Sequence, residues 1–200
     1  MKPLLIGIAG PSCSGKTTII KEIVKNNSHI VRLKVDNYWK DKNTFPKVLG
    51  YRNWDRPENI KFDVLAKNLT DLKAGRKTEV PICKKGQFDR NELIKPTQII
   101  LVEGFLLFAD KKTCDQLDLK IYIDIPKEVS IDRKIKRSHR DWPAEKYVKI
   151  ATEYSHKVYW PEYKKYVRPF KQQADMILDG TADIQDNVII IIKKMQELTA

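Results

Sequence analysis

The sequence is poor in cysteine and has no long hydrophobic run. Its three cysteines, Cys13, Cys83 and Cys114, are odd in number and form no C-x-x-C pair, so they indicate neither a disulfide framework nor a zinc site. The longest purely aliphatic run, residues 188–192, is far shorter than the roughly 20 residues of a membrane span. The apolar run near the amino terminus is also too short for the core of a signal peptide. These absences lead us to expect a cytoplasmic protein that does not bind membranes.

Acidic residues are outnumbered by basic ones, which gives the 200 residues a formal net charge of +12. Such an excess is typical of proteins that bind nucleic acid, and equally of proteins whose field attracts polyphosphates. The lysines are scattered and form no basic tail, so we do not expect nucleic acid as a partner. With 42% hydrophobic residues the chain can bury a core, and its length predicts one domain over residues 1–200.

The most informative stretch is residues 10–17, which have the spacing G-x-x-x-x-G-K-T. It follows an apolar run at residues 4–9 and precedes an apolar helical segment at residues 18–24, so strand, loop and helix follow in order. Backbone N–H groups of such a loop surround phosphates, and the helix dipole adds positive potential. We expect Lys16 to reach the outer phosphates of a nucleoside triphosphate and the Thr17 hydroxyl to ligate Mg²⁺. The residues expected to bind the nucleotide are Gly10, Ser12, Cys13, Ser14, Gly15, Lys16, Thr17 and Thr18.

Strands alternate with helices along the rest of the chain. We predict strands over residues 30–35, 98–102, 119–125 and 175–178, where apolar stretches end at polar residues. One helix is predicted over residues 62–72, with Asp63 as its amino-terminal cap. A last helix is predicted to face the core with Ile184, Val188, Ile191, Met195 and Leu198. The predicted fold class is α/β, a P-loop NTPase fold whose parallel sheet is covered by helices on both faces.

Two segments interrupt this alternation. Residues 77–95 hold two short extended pieces and predict a small β-hairpin insertion. Residues 40–59 form a polar connection with several aromatic side chains, and long loops in compact domains are usually functional. Further on, a long helical region is predicted from residue 143 to about residue 166.

Three carboxylates fall at predicted strand ends or in the long connection. Glu103 ends a buried strand beside the phosphate loop, where it could either hold Mg²⁺ or pair with Lys16. Asp36 also follows a strand, and it is our candidate for the group that orients an attacking hydroxyl and for a further metal ligand. The alternative for Asp36 is a helix-cap or turn aspartate. Asp55 lies beside Trp54, where a carboxylate can accept hydrogen bonds from two neighbouring hydroxyls while aromatic rings stack on the acceptor.

Arginines recur on one predicted helix at the spacing of a single face. Arg133, Arg137 and Arg140 are separated by four and then three residues. Arginine neutralises the negative charge on the oxygens of a phosphoryl group in transfer. The alternative, a solvated basic face, is the usual reason for such a run.

Together these motifs resemble the uridine kinase family, within the wider group that includes phosphoribulokinase and nicotinamide riboside kinase. The most specific matches are residues 35–39 (Val-Asp-Asn-Tyr-Trp), residues 53–58 (Asn-Trp-Asp-Arg-Pro-Glu), Glu103-Gly104 and residues 158–175. The resemblance implies that Asp36 is the base for a ribose 5′-hydroxyl and that Asp55 holds the 2′- and 3′-hydroxyls. It also implies an arginine-rich lid, about residues 133–145, that closes over the triphosphate.

The resemblance assigns each candidate a role. The implied catalytic residues are Asp36, Lys16, Arg137 and Arg133, and Arg140 joins the nucleotide-binding loop. The implied substrate-binding residues are Asp36, Tyr38, Trp54, Asp55, Arg90 and Arg137. The implied metal ligands are Thr17, Glu103 and Asp36. ATP or GTP would be the phosphate donor with Mg²⁺, a nucleoside the acceptor, and a homo-oligomer is an open expectation.

Two departures leave the identity of the acceptor open. Residues 82–90 contain no histidine, whereas the family's hairpin carries one that touches the base. Residues 103–108 (Glu-Gly-Phe-Leu-Leu-Phe) and 178–181 (Leu-Asp-Gly-Thr) look more like nicotinamide riboside kinases. Uridine or cytidine is our first expectation, nicotinamide riboside the second, and another small alcohol the third. A nucleotide-dependent RNA-binding protein is the non-enzymatic alternative.

Overall fold

The central feature of the fold is a five-stranded parallel sheet. The computed structural model describes residues 2–25, 27, 29–84, 87–141 and 144–199. The strands of this sheet are β1 (Leu4–Ala9), β2 (Ile30–Lys34), β7 (Ile99–Glu103), β8 (Leu119–Asp124) and β9 (Met176–Asp179). Their order across the sheet is β2-β7-β1-β8-β9, and every neighbouring pair is parallel. The predicted strands are therefore confirmed, with ends that differ by one residue at most.

Strand β1 is the central strand of the sheet, and both of its faces are buried, as is usual in parallel sheets. Leu5 packs into the core on one face of the sheet, and Ile6 and Ile8 pack into the core on the other. None of these three side chains has any exposed surface. The alternation of side chains along each strand thus divides the apolar residues between two cores.

Helices cover both faces of the sheet, as predicted. They are α1 (Lys16–Lys25), α2 (Phe62–Lys73), α3 (Lys111–Cys114), α4 (Lys127–Asp141), α5 (Glu145–Tyr154), α6 (Trp160–Tyr166) and α7 (Ile184–Thr199). Helices α1 and α7 share the core on one face, whereas α2 and the aromatic residues of α6 contribute to the core on the other.

Two details of the predicted helices are wrong. Asp63 does not cap α2, because the cap position is Lys61 and Asp63 is instead an exposed side chain paired with Lys112. The core-facing stripe of α7 is also shorter than predicted, because Ile184 and Leu198 are exposed at its two ends. The buried members of that stripe are Val188, Ile191 and Met195.

The hairpin insertion is confirmed. Strands β5 (Thr78–Lys84) and β6 (Gln87–Ile94) pair in antiparallel fashion, while residues 85 and 86, predicted to lie between the two pieces, fall outside the described residues. The long connection before α2 is more ordered than expected, since it contains the short antiparallel pair β3 (Lys47–Val48) and β4 (Tyr51–Arg52).

The predicted long helical region is interrupted. A π turn, Ser155–Tyr159, joins α5 to α6, so the helical residues follow one another without a gap while the hydrogen-bond pattern changes. Residues 142 and 143, which the predicted lid and the start of the predicted helical region include, lie outside the described residues. No helix in the described ranges is long and apolar enough to cross a bilayer.

Candidate active site

The carboxyl edge of the sheet brings the predicted site residues together. The phosphate loop follows β1, a 3₁₀ turn at Val35–Tyr38 follows β2, and Glu103 is the last residue of β7. Since β2, β7 and β1 are neighbours in the sheet, these three strand ends are adjacent in space. Ligands of open α/β sheets bind at this edge.

The phosphate loop depends on glycine at its first position. Gly10 has a φ of 143°, and a Cβ there would lie only 2.2 Å from the backbone oxygen of Ile123 in β8. Any side chain would therefore push the loop away from the sheet. Cys13 also has a left-handed φ, of 63°, which is uncommon for a residue with a side chain. Helix α1 starts at Lys16, so its amino-terminal N–H groups point into the loop.

Lys16 is buried and folds back onto the loop. Its Nζ donates hydrogen bonds to the backbone oxygens of Gly10 (3.0 Å) and Pro11 (2.7 Å) and to Ser14 Oγ (3.2 Å). Burial lowers the pKa of Lys16 to about 8, although the negative charge of Glu103 acts against this shift. A phosphate in the loop would offer the ammonium group a stronger partner than these neutral oxygens.

The lowered pKa of Lys16 predicts that ATP binding weakens as the pH rises above about 8. The charged form prevails below this pKa and binds phosphate, so above it binding must take up a proton. We expect the Kd to rise by up to about tenfold per pH unit there. Calorimetry at pH 9 in buffers of different ionisation enthalpy should show proton uptake. Lys16→Arg, which stays charged, is the control whose affinity should not change with pH. A wild-type Kd that is constant from pH 7.5 to 9.5 contradicts this prediction.

Glu103 is held beside the first turn of α1. The Thr17 hydroxyl donates to Glu103 Oε2 (2.8 Å), and the Arg32 guanidinium pairs with Oε1, with Nε at 2.7 Å. The ion pair of Glu103 is therefore made with Arg32 of β2 and not with Lys16. Two oxygen ligands that face the phosphate loop, one hydroxyl and one carboxylate, suit Mg²⁺, which prefers oxygen and keeps several waters or phosphate oxygens.

Asp36 faces the cleft without a partner. Within the described residues its carboxylate accepts no hydrogen bond, and the turn that contains it has no side-chain cap, which argues against a capping role. Solvent reaches Asp36 through the open cleft, yet the protein around it limits hydration of the carboxylate. This limited hydration of the carboxylate raises the pKa of Asp36, and the charge of Glu103 raises it further.

Three neighbouring cavities, which share lining residues, surround these residues. The outer cavity, about 1070 Å³, lies between the phosphate loop, α4 and the start of α7. The central cavity, about 170 Å³, is lined by Lys16, Thr17, Glu103 and Asp36. The inner cavity, about 280 Å³, is lined by Asp36 and Asp55 together with Trp39, Trp54 and Phe105. Asp36 thus belongs to both the central and the inner cavity.

The predicted arginine face of α4 points at these cavities. Arg133 donates to the backbone oxygens of Cys13 (3.3 Å) and Gly180 (3.0 Å), and Arg137 donates to Ser12 Oγ (3.3 Å). Arg137 lines all three cavities, whereas Arg140 lines only the outer one. The spacing along the helix therefore places two arginines against the phosphate loop and a third further out.

Asp55 is fixed by a network of buried polar groups. Its backbone N–H donates to Asn53 Oδ1 (3.0 Å), and its Oδ2 accepts a hydrogen bond from the Tyr154 hydroxyl (2.6 Å). Asn53 in turn donates from Nδ2 to Glu162 Oε1 (2.8 Å). The carboxylate is buried but lines the inner cavity, so it is held in place and still open to a ligand.

Two residues expected to bind substrate lie elsewhere. Tyr38 is buried in the core, and its hydroxyl donates to Asn68 Oδ1 (3.0 Å), so its ring cannot stack on a ligand in the cleft. Its neighbour Trp39 lines the inner cavity instead. Arg90 is exposed on the hairpin, where it pairs with Asp89 and Glu92, and it lines none of the three cavities.

Cys13 offers a chemical probe of the phosphate loop. It is half-buried and lines the outer and central cavities. We expect ATP to slow its alkylation by iodoacetamide at least about tenfold when ATP is well above its Kd. Cys83 is the internal control, because it is also half-buried but lies outside these cavities, with its Sγ 3.0 Å from the backbone oxygen of Asn37. Peptide mass spectrometry measures both rates, and equal slowing of the two cysteines contradicts the assignment.

Sequence reasoning missed several residues of the cleft. Arg32, the partner of Glu103, reads in the sequence only as a basic residue of an alternating strand. Lys134 lines the inner cavity with its ammonium group 4.4 Å from the centre of the Tyr159 ring. Tyr154 reaches Asp55 across 99 residues of sequence, and no local pattern could reveal that contact.

Comparisons with known proteins agree with this architecture. Residues 5–185 match the model of the Phosphoribulokinase / Uridine kinase family. A uridine kinase of Staphylococcus aureus (strain JH9) is 34% identical over 203 residues, which cover 98% of this chain and 97% of that protein. Two solved structures, at 17% and 19% identity, confirm the predicted fold class. One is a provisionally named fructose transport system kinase of Silicibacter sp. TM1040 (TM-score 0.70, 88% of this chain and 89% of the other). The other is a possible uridine kinase of Bacillus stearothermophilus (TM-score 0.63, 90% of each chain).

Proposed function

The chain belongs to the phosphoribulokinase/uridine kinase family and is a P-loop kinase, and on that premise we propose that it phosphorylates the 5′-hydroxyl of a ribonucleoside, with uridine or cytidine as the preferred acceptor. The phosphate donor is ATP or GTP, whose γ-phosphate is transferred. The observation that carries the proposal is the position of Asp36. This unpartnered carboxylate lines the cavity of the phosphate loop and also the cavity of Asp55 and the tryptophans.

The donor would lie with its phosphates in the loop at residues 10–17. There the loop N–H groups and Lys16 bind the phosphate oxygens, and the amino-terminal end of α1 adds positive potential. Arg133 and Arg137 already contact the loop and would stabilise the charge of the phosphoryl group during transfer. The lid at about residues 133–145 is proposed to close over the triphosphate and exclude water, which would otherwise compete as acceptor.

Mg²⁺ would be held by the Thr17 hydroxyl and Glu103, directly or through water. When bound, it supplies positive charge beside the β- and γ-phosphates. Asp36 lines the same cavity as Thr17 and Glu103 and is the third residue that would hold the ion. Arg32 balances the charge of Glu103 and fixes the orientation of the carboxylate.

The acceptor would occupy the inner cavity. Its sugar hydroxyls would donate to Asp55, and its 5′-hydroxyl would donate to Asp36, which takes up the proton as the oxygen attacks phosphorus. Trp39 and Trp54 offer flat apolar surfaces for a ring, with their ring centres 5.7 Å apart and their planes nearly perpendicular. Lys134 is the polar residue lining the inner cavity to which this proposal gives no role.

Nicotinamide riboside is the second candidate acceptor. In the part of the chain that the structure describes, no residue of the β5–β6 hairpin lines the inner cavity. The hairpin therefore provides no polar side chain there for reading the edge of a pyrimidine, and the cavity favours recognition by ring stacking. Stacking suits nicotinamide as well as uracil.

An acceptor panel tests the proposed function. Uridine, cytidine, nicotinamide riboside, D-glycerate and pantothenate are each assayed for release of ADP with ATP as donor and of GDP with GTP as donor. The proposal predicts that a ribonucleoside has the highest kcat/KM and that ³¹P NMR finds a 5′-monophosphate. Preference for an acceptor without a ribose would overturn it.

Asp55→Ala provides the matching mutational test. We expect the KM for the nucleoside to rise at least about tenfold, because a carboxylate that accepts two hydroxyl hydrogen bonds is lost. The control is Glu58→Ala, which removes an exposed acid from the same loop, where its one ion pair among the residues that the structure describes is with Arg56. Equal KM values for the wild type and the Asp55 variant contradict the assigned role.

A further inference from the structure

Two tyrosines mark the ends of the π turn, Tyr154 immediately before it and Tyr159 as its last residue, and each one contacts a different part of the cleft. The Tyr159 hydroxyl accepts a hydrogen bond from the Ser12 N–H of the phosphate loop (3.0 Å). The Tyr154 hydroxyl donates to Asp55 (2.6 Å) in the connection at residues 40–59, which we call the acceptor loop. One helical segment thus supports both the phosphate loop and the acceptor loop.

The π turn brings these two side chains to one side of the helix. In a regular α-helix, residues five apart point in directions that differ by about 140°. In a π turn they are one turn apart, and Trp160 N–H accordingly bonds to the backbone oxygen of Ser155. Lys134 lies near both rings, 4.4 Å from the centre of Tyr159 and 5.7 Å from that of Tyr154, which confirms that the rings face the same space. Such π turns occur frequently at functional sites.

The hydrogen of the Tyr154 hydroxyl can point only at Asp55. Trp54 N–H donates to the same hydroxyl oxygen (3.1 Å), and a backbone N–H cannot accept. The hydroxyl therefore uses a lone pair for Trp54 and its single hydrogen for Asp55 Oδ2. Burial raises the pKa of Tyr154, and the charge of Asp55 raises it further, so the hydroxyl stays protonated throughout the physiological range.

We propose that Tyr154 is a positioning residue of the acceptor site, whose hydroxyl holds the Asp55 carboxylate in the orientation that leaves its other oxygen free for the acceptor. This inference rests on the proposed role of Asp55 in binding acceptor hydroxyls. Asp55 is fixed at its backbone by Asn53 and at its side chain by Tyr154, so both ends of the residue are restrained. Restraining a binding group before the ligand arrives strengthens binding, because less freedom is lost on association.

Tyr154→Phe tests this directly, since it removes one oxygen atom and leaves the ring in place. The acceptor is whichever member of the panel the wild-type protein phosphorylates with the highest kcat/KM. We expect the KM for that acceptor to rise about tenfold, while the KM for ATP and the melting temperature change little. The matched control is Tyr51→Phe, because the Tyr51 hydroxyl donates to Glu153 on the same helix and not to Asp55. That variant should behave like the wild type.

A double-mutant cycle shows whether Tyr154 acts through Asp55. In the Asp55→Ala background, Tyr154→Phe should change the acceptor kcat/KM by less than about twofold. An undiminished effect in that background overturns the proposal, as does a Tyr154→Phe variant with the wild-type acceptor KM.

A second readout needs no acceptor at all. Crystal structures of the wild type and of Tyr154→Phe should show the Asp55 carboxylate in one orientation in the first and rotated, or in several conformers, in the second. An Asp55 carboxylate unchanged in the variant refutes the role of Tyr154. If the wild type phosphorylates no ribonucleoside, the proposed function fails, and these two structures still decide the role of Tyr154.

Discussion

Asp36→Asn is expected to lower kcat by roughly 10²- to 10⁴-fold while leaving the Kd for ATP within about twofold. Asparagine has the same shape and can still accept a hydrogen bond from the acceptor hydroxyl, but it cannot take up the proton as the oxygen attacks phosphorus. The carboxylate makes no hydrogen bond within the described residues, so its replacement disrupts no visible contact. Steady-state rates at saturating substrates and an ATP titration measure the two quantities separately.

The pH dependence adds an independent signature for Asp36. Limited hydration in the cleft raises the pKa of Asp36, the charge of Glu103 raises it further, and the ionised form is the active one. In the wild type, kcat/KM should therefore fall with decreasing pH, and the pKa that governs this fall should lie above the pKa of an ordinary aspartate. Asp36→Asn should lack this decline. The control is Asp63→Asn, which changes an exposed aspartate on α2 and should leave both the rate and its pH profile intact. A defect of Asp36→Asn confined to KM would show that Asp36 only binds.

Lys16→Ala is expected to reduce kcat/KM by roughly a thousandfold or more, because the ammonium group both binds the phosphates and neutralises charge in transfer. The fold should survive, since within the described residues the side-chain hydrogen bonds of Lys16 go only to the phosphate loop itself. Rates of ADP release, the Kd for ATP and circular dichroism test the three parts of this expectation.

The matched control for Lys16→Ala is Lys25→Ala. Lys25 is the last residue of the same helix, is exposed and lines none of the three cavities. It should retain wild-type activity. Substantial transfer by a folded Lys16→Ala protein would contradict the assignment of this loop as the donor site.

The features that the sequence predicts best are those with local signals. The phosphate loop, the strand ends at Asp36 and Glu103 and the helical spacing of Arg133 and Arg137 each follow from a few neighbouring residues. The parallel order of the strands then brings these residues to one edge of the sheet. The sequence alone therefore predicts that the site lies at this edge of the sheet and that the arginines face it.

The errors arise where a single residue decides which way a side chain points. Tyr38 and Trp39 are neighbours at the end of a short 3₁₀ turn, and no periodicity tells which ring enters the core and which lines the cleft. Asp63 has the residue type of a helix cap but lies two residues after the cap position, Lys61, because α2 already starts at Phe62. The π turn likewise depends on a local hydrogen-bond pattern that composition does not reveal.

Contacts between distant segments were also beyond sequence reasoning. Strands β2 and β7 pair in parallel, in a register that sets Lys34 opposite Glu103. Arg32 precedes Lys34 by two residues, so its side chain leaves the same face of the sheet and pairs with Glu103. Tyr154 meets Asp55 because the helical region folds back over the acceptor loop. Each contact orients a carboxylate that the sequence predicts, but neither Arg32 nor Tyr154 belongs to a sequence motif that would reveal its role.

The most direct test of the account is a crystal structure of the protein with a non-hydrolysable ATP analogue, Mg²⁺ and its best ribonucleoside acceptor. The account predicts the triphosphate in the loop at residues 10–17, the 5′-hydroxyl within about 3 Å of Asp36 and in line with the γ-phosphorus, and the sugar diol on Asp55. An acceptor bound outside the inner cavity, or with its 5′-hydroxyl turned away from Asp36, would contradict it.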